Sequence, residues 1–142
     1  MNHRLLLNSV SVVGGDLELQ GTPDALRELA SCLRSAGSLE TCIDANAIGE
    51  GAPQRVCVRV TKGMVRIYRL AAVLCIGGSP ERLEILAGNV DTIASSGPGN
   101  HIHVEHYEGH PYLGSTSEPL VIACTGSSGA AGPARRPGAG GC

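Results

Sequence analysis

A ten-residue pattern occurs twice at a fixed offset, and it constrains the fold more than any other feature. Leu17-Glu18-Leu19-Gln20-Gly21-Thr22-Pro23-Asp24-Ala25-Leu26 aligns with Leu74-Cys75-Ile76-Gly77-Gly78-Ser79-Pro80-Glu81-Arg82-Leu83, 57 residues later. Each copy runs from an apolar strand-like segment through glycine into a helix start. A hydroxyl residue stands at the N-cap, proline at the first helical position, and an acid in the first turn, where the positive end of the helix dipole favours it. After the first start, Leu26, Leu29, Ala30 and Leu33 fall at i, i+3, i+4, i+7, and Leu83, Leu86, Ala87 and Val90 repeat that stripe. The spacing predicts two amphipathic helices, the first running to about Ala36 and ended by Gly37.

Each helix leads into an alternating segment. The first leads into Gln54–Thr61, where Val56, Val58 and Val60 alternate with Cys57 and Arg59. The second leads into His101–Tyr107. A strand, capped helix, strand unit in series predicts an α+β fold, an antiparallel sheet with two helices on one face in a ferredoxin-like β-α-β repeat. Extra strands are expected at both ends. Arg4–Val13 and Asp16–Gln20 form an N-terminal pair around the Gly14-Gly15 turn, and Glu118–Thr125 forms a C-terminal edge strand. Ser38–Pro53 shows no period and reads as a long connection. Lys62-Gly63 is a turn into Met64–Leu70. The inward parity changes between Val65 and Ile67 and the later Leu74 and Ile76, which requires either a bulge or a turn near Arg69–Ala72. At 142 residues the chain reads as one domain over 1–125. Residues 126–142, rich in Gly, Ala and Pro, cannot bury a core and read as a disordered tail.

Apolar residues make up 42% of the chain, with three tyrosines and no Phe or Trp, so aliphatic side chains must fill the core. A net charge of -2 lacks the basic footprint of a nucleic-acid binder. No run approaches the roughly 20 apolar residues of a membrane span, and Met1–Val13 lacks a signal-peptide cleavage site. Neither nucleic acid nor membrane is an expected partner. The six cysteines, Cys32, Cys42, Cys57, Cys75, Cys124 and Cys142, contain no C-x-x-C pair. In a cytoplasmic protein they read as reduced, mostly buried thiols.

Chemistry concentrates in Gly97–Leu113, which holds four of the five histidines and two of the three tyrosines. In the strand reading Ile102 and Val104 face inward, while His101, His103, Glu105 and Tyr107 face out. With Glu18, Gln20, Arg59, Arg66 and Tyr68 they make a polar open face that is either a protein-binding surface or simply a solvated sheet face. His101, His103 and His110 form the set that could ligate a transition metal, although the spacing of the usual metallohydrolase motifs is missing. No nucleophile elbow or phosphate loop is present. The Gly-His-Pro-Tyr segment is either part of a binding surface or a structural turn with His110 bonded to backbone.

The stretch Gly99–Leu113, with its H-x-H-x-E followed by G-H-P-Y, and the Gly-Thr-Pro-Asp and Gly-Ser-Pro-Glu helix starts resemble the immunity protein 32 family of bacterial polymorphic toxin systems, over about Gly15 to Ile122. The resemblance implies a small cytoplasmic α+β protein without enzymatic activity or cofactor, which neutralises a cognate toxin domain by direct binding. His106 stands where the family pattern would place an aromatic residue. The expected partner contacts are His103, Glu105, Tyr107, Glu108, His110 and Tyr112. The competing reading is a small metal-binding or hydrolytic enzyme built on His101, His103, Glu105 and His110.

Overall fold

Both helices begin where the repeat places them. A computed structural model describes residues 8–13 and 16–126. The start of Arg4–Val13, the Gly14-Gly15 turn and residues 127–142 lie outside the described residues. Helix α1 (Pro23–Ser35) opens with Thr22 Oγ1 accepting from the Ala25 amide at 3.1 Å, and α2 (Pro80–Ser96) opens with Ser79 Oγ accepting from the Arg82 amide at 3.4 Å. Each cap satisfies an amide that has no partner within its helix. α1 ends at Ala36, which is already extended, one residue before the expected glycine stop. α2 does end on a left-handed glycine, Gly97 (φ 93°).

Among the described residues eight strands accompany the two helices: β1 (Asn8–Val13), β2 (Asp16–Gly21), β3 (Thr41–Ile48), β4 (Arg55–Val60), β5 (Arg66–Leu70), β6 (Val73–Gly78), β7 (His101–Val104) and β8 (Leu120–Cys124). They form one curled, half-barrel sheet in the order β5-β6-β4-β3-β1-β2-β8-β7. Pairings alternate along it. β5–β6, β3–β4, β1–β2 and β7–β8 are antiparallel, while β4–β6, β1–β3 and β2–β8 are parallel. The antiparallel, ferredoxin-like expectation is therefore corrected to a mixed sheet. The cause is β3, which lies within the supposed Ser38–Pro53 connection, pairs parallel with β1 and separates it from β4. β8 is likewise no edge strand, because it sits between β2 and β7.

The offset of 57 extends over more of the chain than the helix starts. It carries β1 onto β5, β2 onto β6, α1 onto α2 and β3 across β7, but places β4 at 112–117, ahead of β8, so the β-β-α-β-β unit recurs in element order with its last strand displaced. A tight turn separates β5 from β6, with Ala71 at φ 56°, and this turn produces the parity change. One sheet face carries Val10, Leu17, Leu19, Ile43, Val56, Val58, Ile67, Leu74, Ile76, Val104, Leu120 and Ile122. These meet Leu26, Leu29 and Leu33 of α1 and Leu83, Leu86 and Val90 of α2 in a single aliphatic core. Such packing needs close-fitting aliphatic shapes because no large aromatic core residue is present except Tyr112. At the surface, Arg34 of α1 bonds Glu84 (3.0 Å) and Asp91 (2.6 Å) of α2. A Cβ at Gly78 would come within 2.9 Å of Val65 Cγ2 and 3.0 Å of Val65 Cα, so glycine permits the chain before β5 to cross closely over the end of β6.

Cys42 and Cys57 form a disulfide between directly opposed residues of β3 and β4, with Cα atoms 4.0 Å apart. This overturns the all-thiol reading for these two positions. Sequence alone gives no sign of this bond, because β3 lacks a strand period and nothing in the pattern places Cys42 opposite Cys57. Cys32, Cys75 and Cys124 are free and buried.

Candidate functional site

The histidine-rich stretch is held from both sides. Asn100 Nδ2 donates to the carbonyls of Ser96 (3.0 Å) and Gly97 (2.9 Å), which fastens it to the end of α2. The Gly99 amide donates to the Cys124 carbonyl, and the Cys124 amide donates to the Asn100 carbonyl, which starts the β7–β8 ladder. In that ladder Val104 packs into the core while His101 and His103 are exposed, as the alternation requires. The two imidazoles meet edge to face with centroids 5.1 Å apart. Across the open face His103 lines up with Val121 of β8 and Glu18 of β2, and His101 with Ala123 and Gln20.

The strand is shorter than the alternating pattern. β7 ends at Val104, so Glu105, His106 and Tyr107 leave the sheet instead of extending the outward row. The next residue of the partner strand is Pro119, which has no amide to continue the ladder. Glu105 remains beside His103, and with Asp16, Pro119 and Val121 they line a depression of about 80 Å³. Asp16 was not among the expected site residues; its position follows only from the β2–β8 pairing. Glu105, His106, Tyr107 and Glu108 are exposed, Tyr107 to 59%.

His110 and Tyr112 sit differently. His110 Nδ1 accepts from the backbone amides of Tyr112 (3.2 Å) and Leu113 (3.0 Å), which places the ring proton on Nε2. Burial, then the neighbouring His106 ring, lowers its pKa below the ordinary histidine value. Its ring lies 4.6 Å from those of both Tyr107 and Tyr112. Tyr112 is 5% exposed, and its hydroxyl accepts from Asn89 Nδ2 of α2 at 3.2 Å. Burial raises the pKa of that phenol. Residues 112–118 then run along β5. The Tyr112 carbonyl receives the Val65 amide, the Glu118 amide reaches the Ile67 carbonyl, and Arg69 Nε donates to Glu118 Oε1 at 3.0 Å.

The trio His101, His103 and His110 is not gathered into a ligand set. Among the described residues, the three-residue group whose ligand atoms lie within 4.8 Å of one another is Glu40, Cys42 and Cys57, and its two sulfurs are joined to each other. The remaining outward residues named from the sequence lie over β4, β5 and β6. There Arg59, Lys62, Arg66 and Tyr68 surround a groove of about 280 Å³, with the Arg66 guanidinium 4.4 Å from the Tyr68 ring centre.

Fold and surface thus define a small α+β protein of two β-β-α-β-β units, presenting an exposed run of acids, histidines and one tyrosine beside its last two strands. Residues 74–125, from β6 through α2 and β7 to the end of β8, match the family described as Immunity protein 32. That is the family the H-x-H-x-E and G-H-P-Y residues resemble, and the match contains the whole candidate stretch. No curated protein and no solved structure matches the chain.

Proposed function

We propose that the protein is an immunity protein that neutralises a cognate toxin domain by direct contact, without catalysis, in the cytoplasm of the producing cell. The observation that carries this reading is the family match over the stretch that presents exposed side chains. The proposed contacts are His103, Glu105, Tyr107 and Glu108, with Asp16 beside them. Tyrosine supplies a stiff amphipathic contact, and the clustered carboxylates complement a cationic cleft and speed encounter with it. His110 and Tyr112 contribute by fixing the loop from beneath, Tyr112 through its bond to Asn89.

The test is protection of cells that express a candidate cognate toxin domain. Glu105→Lys and Tyr107→Ala are expected to abolish protection and co-purification with the toxin while moving the melting midpoint little, since both side chains are exposed. If both variants protect as well as the parent, the interface lies elsewhere on the molecule.

A further inference from the structure

Three cysteines occupy matching positions on three adjacent strands. Cys42 of β3 opposes Cys57 of β4, and Cys57 is in register with Cys75 of β6. In-register neighbours share a face of the sheet, so the three side chains form a row on the side away from the helices. Tyr68 of β5, opposite Cys75, ends the row. The first two sulfurs are bonded and the third is a free thiol. Cys57 and Cys75 lie together in the groove of about 280 Å³, whose charged lining is Arg59, Lys62, Arg66 and Glu40. None of these three cations forms an ion pair among the described residues.

A thiolate that attacks a disulfide expels the far sulfur along the line of the bond. A row of free thiol, near sulfur and far sulfur is the arrangement that displacement needs. We propose that Cys42, Cys57 and Cys75 form an internal thiol–disulfide exchange site, in which Cys75 displaces Cys42 from Cys57 and leaves Cys42 as a modifiable thiol. Cys75 loses its proton to solvent, and its sulfur forms a bond to Cys57 Sγ. The Cys42–Cys57 bond breaks, and Cys42 leaves as a thiolate that takes up a proton. One disulfide is exchanged for another, with no net oxidation and no external reductant.

The surroundings set when this happens. Burial raises the Cys75 pKa, and Glu40 adds to the effect; a hydrogen bond from Tyr68 and the charge of Arg59 oppose it. Lys62 and Arg66 line the same groove. Exchange is therefore slow at neutral pH and accelerates as the thiolate fraction grows, by about tenfold per pH unit below the thiol pKa. Its structural result is a moved staple. The Cys42–Cys57 bond ties two strands within the first repeat, whereas a Cys57–Cys75 bond ties the first repeat to the second. Cys42, which is half-buried where its two partners are buried, becomes the thiol open to small-molecule thiol chemistry. Disulfides that occur in reducing compartments are commonly transient ones of this kind.

Native protein held without reductant at about pH 7 and about pH 9, treated with iodoacetamide and digested with trypsin, tests this directly. Arg34, Arg55, Arg59, Arg69 and Arg82 place the three cysteines on separate peptides. The expected result is a 57–75 linked pair with alkylated Cys42 that grows with pH. Cys32 and Cys124 should stay unlinked, and Cys75→Ser should abolish Cys42 alkylation. A wild-type map containing only the 42–57 pair at both pH values overturns the proposal. So does Cys42 alkylation that persists in Cys75→Ser, because the thiol would then come from reduction.

Discussion

His110 stands in a turn that the sequence allows to be read in two ways, as surface or as scaffold, because neither residue type nor spacing states which strand the turn will meet. The structure gives it a scaffold role with a pH signature. Its Nδ1 accepts two backbone amides, which only the neutral ring can do. Burial, then His106, holds its pKa below the ordinary value, so the unfolded chain binds this proton more readily than the folded one. Stability from this group is therefore fully present above the unfolded histidine pKa of about 6.5 and is lost as pH falls through the lower folded value. Melting curves from pH 8 to 5 are expected to show a steeper acid loss in the parent than in His110→Asn, whose side-chain oxygen can still accept from backbone but does not titrate. Parallel pH profiles would show that the ring is not held neutral. Tyr112 makes the same point about legibility. Its place in the turn allows either a partner contact or a packing role, and it lies against Asn89 in the core, whereas Tyr107 five residues earlier is exposed.

At the scale of elements, the helices were legible because their signals are local. A hydroxyl, a proline, an acid and a 3.6-residue stripe act within one turn or two, and both starts fall where they indicate. Thr22→Ala is expected to lower unfolding free energy by about 1 kcal/mol, read from denaturant midpoints. Ser79→Ala should cost less, because its bond to the Arg82 amide is longer at 3.4 Å and the hydroxyl also accepts from the Arg82 guanidinium. Equal or larger loss at Ser79 would mean that the two caps are not ranked by geometry. The strands were less legible where their reasons are remote. β3 reads Thr-Cys-Ile-Asp-Ala-Asn-Ala-Ile, poor in β-formers, with Ile43 alone fully buried, and it is a strand because β1 and β4 flank it. In β7 the reverse error arises. Alternation continues to Tyr107, but the ladder stops at Val104 because its partner strand begins after a proline.

For the whole molecule, the repeated element order frames the topology, and the sequence shows it as a strand, capped helix, strand unit without β3 or the division of the second unit. The first unit keeps its four strands adjacent, in the order β4-β3-β1-β2. The second unit is divided. Its β5–β6 hairpin joins β4, its β7–β8 hairpin joins β2, and the whole sheet of the first unit lies between them. In the first unit β1 and β3 pair in parallel; the equivalent strands of the second unit, β5 and β7, occupy opposite ends of the sheet, and residues 112–118 bond to β5 instead. The two hairpins of the second unit thus share no ladder of their own, and α2 presents Leu83, Leu86 and Val90 to a core completed by α1 and the strands of the first unit. This makes the folding of the two units unequal. Cutting the chain in the Lys62-Gly63 turn, where Gly63 has φ 87° and open space around it, gives fragments 1–62 and 63–142 with every strand intact. Fragment 63–142 alone is expected to show no cooperative thermal unfolding, and mixing it with 1–62 is expected to restore a single transition and a one-to-one complex. A cooperative transition in isolated 63–142 would show that the second unit closes on itself through a β5–β7 pairing, the link the first unit makes between β1 and β3.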